Sequence, residues 1–169
     1  MFFVFVLAVF LMSLMQMEKY RTMWVYLEDT LAASNLASAV VDVEEYGISH
    51  TILVDHPDEA YRRYQWAVKE NLNLDDNWCG QPGSVIRGPV QIVNYTIYNV
   101  RDNMVSVYRY NQYGLTEEWQ EVLGRAVAPN GIRIESTSVY SELAFTAQGL
   151  WGMEVEARRG HLADIVREP

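Results

Sequence analysis

Apolar positions crowd the start of the chain. Met1 to Met17 reads Met-Phe-Phe-Val-Phe-Val-Leu-Ala-Val-Phe-Leu-Met-Ser-Leu-Met-Gln-Met, uncharged and without proline, and only Ser13 and Gln16 are polar. A membrane-spanning helix needs roughly 17–25 apolar residues, so this stretch sits at the short limit. Glu18, Lys19 and Arg21 then mark an interface, with Tyr20 and Trp24 placed as an aromatic belt. The rival readings are a cleavable signal peptide and a buried core helix. A signal peptide needs a basic leading region and a small-x-small cleavage site. Nothing basic precedes Lys19, and large residues follow the apolar run. Removal of a short, positively charged leader before Met1 would also account for the missing basic region.

Beyond Arg21 the period is helical. Met23, Trp24, Leu27, Leu31, Leu36, Val40, Val41 and Val43 recur at spacings of three and four, with Ala32, Ala33, Ala37 and Ala39 among them. Glu28, Asp29, Asn35, Asp42, Glu44 and Glu45 supply the polar face. Gly47 is the first weak point and Pro57 the first firm stop. One helix from the start to about Tyr46 would be on the order of 70 Å long. A 169-residue chain cannot cover a stripe of that length by itself, so the pattern predicts a bundle of identical helices.

His56-Pro57-Asp58-Glu59 reads as a second helix start, with proline in the first turn and acids at the positive end of the dipole. Ala60, Tyr64, Ala67, Val68 and Leu72 continue it. Asp75-Asp76-Asn77 and Gly80-Gln81-Pro82-Gly83 form a loop. The period then changes. Val85–Val100 and Met104–Tyr113 alternate as a hairpin turning at Arg101-Asp102-Asn103. Glu117–Leu123 reads as a helical turn, and Pro129-Asn130-Gly131 as a tight turn. Ile132–Phe145 and Met153–Arg158 are two further strands, parted around Gly149–Gly152. The predicted fold is α+β: a long hydrophobic helix running into a globular head with one further helix and an antiparallel sheet of about four strands. Residues 1–54 form the membrane or filament-core helix, and residues 55–169 the head.

A formal charge of −9 argues against nucleic acid and against docking on anionic lipid. Cys79 is the single cysteine, which removes intramolecular disulfides and cysteine metal sites. It reads as a partly buried spectator thiol. No catalytic constellation is visible, so an enzyme is the weakest reading. His50, His56 and His161 are scattered, and no metal or cofactor is expected. Asp75-Asp76-Asn77 lacks the ligand spacing of a calcium loop. Asn94-Tyr95-Thr96 is a glycosylation sequon inside a predicted strand. Tyr98, Tyr108 and Tyr110 cluster on the hairpin. Cross-strand pairing accounts for them, and a carbohydrate- or surface-binding aromatic face is the sharper alternative.

This layout resembles that of pilins and pseudopilins. Leu31-Ala32-Ala33, Ala37-Ser38-Ala39, the acidic run Asp42-Val43-Glu44-Glu45 and the helix from Asp58 to Leu72 are most similar to the Tad-type (TadE-like) pseudopilins. The resemblance implies a structural subunit of an extracellular, cell-surface filament. Such a subunit waits in the cytoplasmic membrane and is polymerised on itself by a pilus assembly machinery. Phe2, Phe3, Phe5, Val9, Phe10 and Leu14 would lie in the membrane or filament core, and Glu18, Lys19, Arg21 and Trp24 at helix contacts. Ala8, Ala33, Ala37 and Ser38 would permit close helix approach. Type IV pilins carry a glutamate at the fifth mature position, where this chain has Phe5, and its first acid is Glu18. Either that pairing is missing, or Glu18 with Lys19 and Arg21 makes another, or the chain lies outside the family. The second hypothesis is a single-pass, membrane-anchored binding module that uses the aromatic hairpin.

Overall fold

The computed structural model describes residues 2–82, 84, 86–148 and 153–165. Met1, Gly83, Val85 and the predicted break at Gly149–Gly152 lie outside them. The architecture is α+β. Helix α1 spans Phe2–Ser38, α2 Val43–Ser49 and α3 Pro57–Asn71. Strands β1 (Ile86–Arg101), β2 (Met104–Asn111), β3 (Gly114–Val122), β4 (Ser138–Gln148) and β5 (Glu154–Asp164) pair antiparallel in the order β3-β2-β1-β4-β5.

Helix α1 stops eight residues short of the expected end at Tyr46, and before Gly47. The Ser38 hydroxyl donates to the Asn35 carbonyl, and the Ala39 amide is shared between the Asn35 and Leu36 carbonyls. β-Branched Val40 and Val41 follow, and the chain straightens. The Asp42 amide donates to the Leu53 carbonyl and the Asp55 amide to the Val40 carbonyl. Asp42 then caps α2, accepting the Glu45 amide at 2.9 Å, and Gly47 sits inside that helix. The acidic run read as a helix face is therefore a new N-cap.

Two more expectations are corrected. Glu117–Leu123 is mostly strand: β3 fills this stretch, and a 3-10 turn follows at Leu123–Arg125. Glutamates favour helix locally, but here they line a sheet edge, where charge deters pairing with another chain. Arg109 bonds Glu117 at 2.5 Å and lies 4.8 Å from the Trp119 ring. Ile132 does not open β4. That strand starts at Ser138, and Ile132 is exposed beyond the Pro129–Gly131 turn.

The sheet has two covered faces. On one, α1 from Tyr20 onward and α3 pack over Tyr95, Ile97, Tyr110, Val139, Leu143 and Phe145. On the other, Ala126, Ala128 and Ile134 cover Tyr98, Val105, Val107 and Tyr140. The stripe Met23-Leu27-Leu31 is thus buried inside the chain's own head. The expectation that a single subunit cannot cover this part of the helix fails. Ser34, Asn35 and Ser38 are buried on the same face. Asn35, expected on the polar face, donates through Nδ2 to the His161 carbonyl at 3.1 Å and the Val139 carbonyl at 3.4 Å. The Tyr95 hydroxyl donates to Ser38 at 2.8 Å, and Asn71 donates to Ser34 at 3.1 Å. Ser38 is therefore a core residue and unavailable for close approach of another helix.

Candidate functional site

One helix carries two environments. From Tyr20 to Ser38, α1 is docked. The Tyr20 hydroxyl donates to the Gln148 carbonyl at 3.0 Å. Trp24 lies 6.5 Å from the Phe145 ring, with the Arg159 guanidinium 5.9 Å from its own ring. Arg159 pairs with Glu28, and the Tyr26 hydroxyl donates to the Asn71 carbonyl. Trp24, expected at an intersubunit or membrane contact, is instead fastened to its own sheet.

From Phe2 to Met17 the same helix stands clear of the core. Its large apolar side chains, Val9 excepted, are exposed by 46–82%. Phe2, Phe3, Phe5, Phe10 and Leu14 are all among them. Val9 is half-buried, and its carbonyl accepts the Ser13 hydroxyl at 2.9 Å. This bond satisfies Ser13 within its own helix, the arrangement an apolar surrounding requires. Phe2 to Lys19 spans about 27 Å at ~1.5 Å per residue, close to the ~30 Å hydrocarbon core of a bilayer. α1 is long and apolar enough to cross a membrane. Glu18, Lys19 and Arg21 are exposed where the free half meets the docked half. A shallow groove beside them is lined by Met15, Thr22, Met23 and Tyr26.

Exposed apolar surface continues past that charged junction. Val25, Leu36, Val40, Val43 and Ile48 are exposed, as are the small Ala33 and Ala37. Periodicity alone had assigned Leu36, Val40 and Val43 to the buried stripe, but the turn at Ser38 redirects the last two.

The hairpin offers no aromatic recognition face at the expected residues. Tyr98 and Tyr110 are each 2% exposed, on opposite faces of the sheet, and Tyr108 is half-buried beside the core. Tyr110 stacks on Tyr61 with centroids 4.7 Å apart, and Tyr64 stacks on Tyr95 at 4.5 Å. Burial raises the hydroxyl pKa throughout this cluster. Tyr61 and Tyr98 are pushed up to about 12. Tyr110 is raised first by burial and further by its 2.9 Å hydrogen bond to the Asp58 carboxylate. Burial raises Tyr64 as well; its hydroxyl comes near Ser141 without closing a hydrogen bond.

The remaining polar signals have local roles. Asp75 Oδ1 accepts the amides of Asn77 and Cys79, both at 2.9 Å. The Cys79 thiol leans on the Asn77 carbonyl at 3.7 Å. Asn94 lies within β1, and its side-chain oxygen accepts the Thr96 hydroxyl at 2.7 Å. Among the described residues, no three His, Cys, Asp or Glu side chains converge as a metal site. The free half of α1 carries a run of exposed large apolar side chains. No protein-family model, no curated protein and no solved structure matches this chain.

Proposed function

We propose that this protein is a structural subunit of a pilus-like filament, held in a membrane through Phe2–Met17 before assembly and packed helix against helix afterwards. The single observation that carries this reading is the rigid continuity of α1: an exposed apolar half joined without a linker to a half embedded in a folded head. Lipid or a neighbouring helix would each keep that surface out of water. The exposed Val25, Ala33, Leu36 and Ala37 favour the filament over a simple anchor. They lie past the charges at Glu18–Arg21, where a bilayer no longer covers them but a neighbouring α1 would. Close helix approach at small residues then supplies the packing.

The test is electron microscopy of sheared surface material, with mass spectrometry of the same fraction. Thin filaments composed mainly of this chain are expected, and Val9→Glu or Leu14→Glu should abolish them. Filaments of normal length from either variant would refute the core assignment. A chain that stays with the membrane and yields no filaments would favour an anchored binding module.

A further inference from the structure

A cleft of about 370 Å³ opens between the Asp75–Gly80 loop, the bulged start of β1 and the turn joining β2 to β3. That volume falls in the range of small-ligand pockets, roughly 300–1,000 Å³. Four carboxamides line it, from Gln65, Asn77, Gln91 and Gln112, together with the rings of Trp78 and Tyr113. Among the described residues, no charged side chain lines it, although 21% of the chain is charged.

The walls are built rigidly. Gly88 takes φ +69° beside Pro89, and the β1–β4 register slips between Arg87 and Gln91. This bulge leaves Gly88, Pro89 and Val90 without a β4 partner, resumes pairing at Gln91 opposite Ala144, and lets the loop attach to β1. The Val90 amide donates to the Trp78 carbonyl at 2.8 Å. Trp78 itself adopts φ 63°, an outlier for so bulky a residue. Its amide donates to the Asp75 carbonyl at 3.0 Å, and the Asp75 amide to the Cys79 carbonyl at 2.9 Å, so the strain is held from several sides. The Lys69 ammonium lies 5.5 Å from the Trp78 ring but points to Asp76. Gln65 donates to the Tyr61 hydroxyl at 3.1 Å, which fixes its amide, and its oxygen has no partner among the described residues. The side-chain amides of Asn77, Gln91 and Gln112 have no partner among the described residues.

We propose that this cleft binds a neutral saccharide. Each carboxamide offers two donors and an acceptor, which matches sugar hydroxyls that both donate and accept. The exposed Tyr113 ring and the Trp78 indole provide flat apolar surface for the C–H faces of a pyranose. A phosphate or carboxylate ligand would need an arginine or lysine in the lining, and none lines it among the described residues. The proposal does not depend on whether the chain polymerises.

The test uses the full chain in amine-oxide micelles, because maltoside detergents are themselves sugars. Saturation-transfer NMR is recorded with maltohexaose, cellohexaose and chitohexaose, with hexagalacturonate as the charged control. Transfer to ring protons of at least one neutral oligomer is expected, and none to the control. Gln91→Ala and Gln112→Ala change exposed side chains and should leave thermal unfolding unchanged, yet each weakens binding about 3–10-fold, the effect of one lost hydrogen bond. The proposal is overturned if no neutral oligomer shows transfer at millimolar concentration, if both variants bind as the parent does, or if hexagalacturonate binds more tightly.

Discussion

Leu7 and Leu31 lie on one helix, and the same substitution should separate their roles. Leu31 is 0% exposed and sits in the core between α1, α3 and the sheet, whereas Leu7 is 47% exposed on the free half. Leu→Ala removes three side-chain carbons, and about 0.8 kcal/mol for each gives roughly 2.4 kcal/mol of lost transfer energy at Leu31. A cavity term adds to this. Tyr64 and Tyr95 of the same core cluster are stacked on each other, which limits how far the core can collapse. The total for Leu31→Ala is therefore about 3–5 kcal/mol. For a domain of this size that lowers Tm by roughly 6–20 °C. Leu7→Ala should stay within about 0.5 kcal/mol, because its side chain contributes nothing to the head's core. The assay is thermal unfolding of the full chain in micelles, followed by near-ultraviolet circular dichroism. Equal shifts for the two variants would refute the division of α1 into a docked half and a free half.

Further outcomes follow from the sheet and the tyrosine cluster. A Cβ on Gly160 would lie 2.3 Å from the Tyr140 hydroxyl and 2.9 Å from its ring. Gly160→Ala should therefore cost about 1–3 kcal/mol, and a double-mutant cycle with Tyr140→Phe should recover part of it. Equal losses in both Tyr140 backgrounds would exclude that contact. Buried hydroxyls contribute to stability at alkaline pH. Tyr61, Tyr98 and Tyr140 titrate near 12 in the fold against about 10 unfolded, and Tyr64, Tyr95 and Tyr110 are raised as well. A raised pKa means that the unfolded state loses its proton first. These groups contribute fully below about pH 10, and their contribution is lost as pH rises through the folded values. The part of the tyrosinate absorbance that comes from these six residues should appear together with the loss of far-ultraviolet circular dichroism, in one cooperative step above pH 10. Gradual ionisation of the cluster with the fold intact would contradict the burial assigned to it.

The legible parts of this chain were those whose signals are local. Pro57 followed by Asp58 and Glu59 marks the start of α3, and the polar turn at Asp102 divides two alternating runs into β1 and β2. The illegible parts were decided at a distance. Nothing near Asn35 in sequence says that its amide will bond carbonyls of β4 and β5, so it read as solvent-facing. Glu117–Leu123 read as a helical turn; glutamates are good helix formers, and only the neighbouring β2 makes them an edge. Cross-strand pairing accounted for the hairpin tyrosines, and the alternative of an aromatic surface stayed open because β-alternation does not reveal that both faces of a sheet are covered. The cleft at Gln65, Gln91 and Gln112 left no motif at all. Its residues come from a helix, a bulge and a turn, and the one sequence hint was the turn-rich stretch around Trp78.

The energetic position of the free half constrains how such a subunit could assemble. Burying one large apolar side chain is worth about 1.5–3 kcal/mol, so the half-exposed run from Phe2 to Met17 represents roughly 10–20 kcal/mol of unfavourable hydration. That is comparable to the whole stability of an ordinary domain, about 5–15 kcal/mol. Lipid and helix neighbours relieve this term nearly equally, and it therefore cannot drive transfer from one to the other. Polar glue cannot either at Ser13, whose hydroxyl is already bonded to the Val9 carbonyl. In the proposed filament, the preference for neighbours over lipid must come from close packing along α1 and from surface that lipid never covers. Val25, Ala33, Leu36 and Ala37 meet that description, since they are exposed on the docked half beyond the charged junction. Membrane retention and assembly should thus be separable along one helix. Leu36→Glu would leave the chain in the membrane and the head folded, because Leu36 is outside the core, yet it would reduce filament yield. Unchanged filaments from Leu36→Glu would show that contacts along Phe2–Met17 alone hold the subunits together.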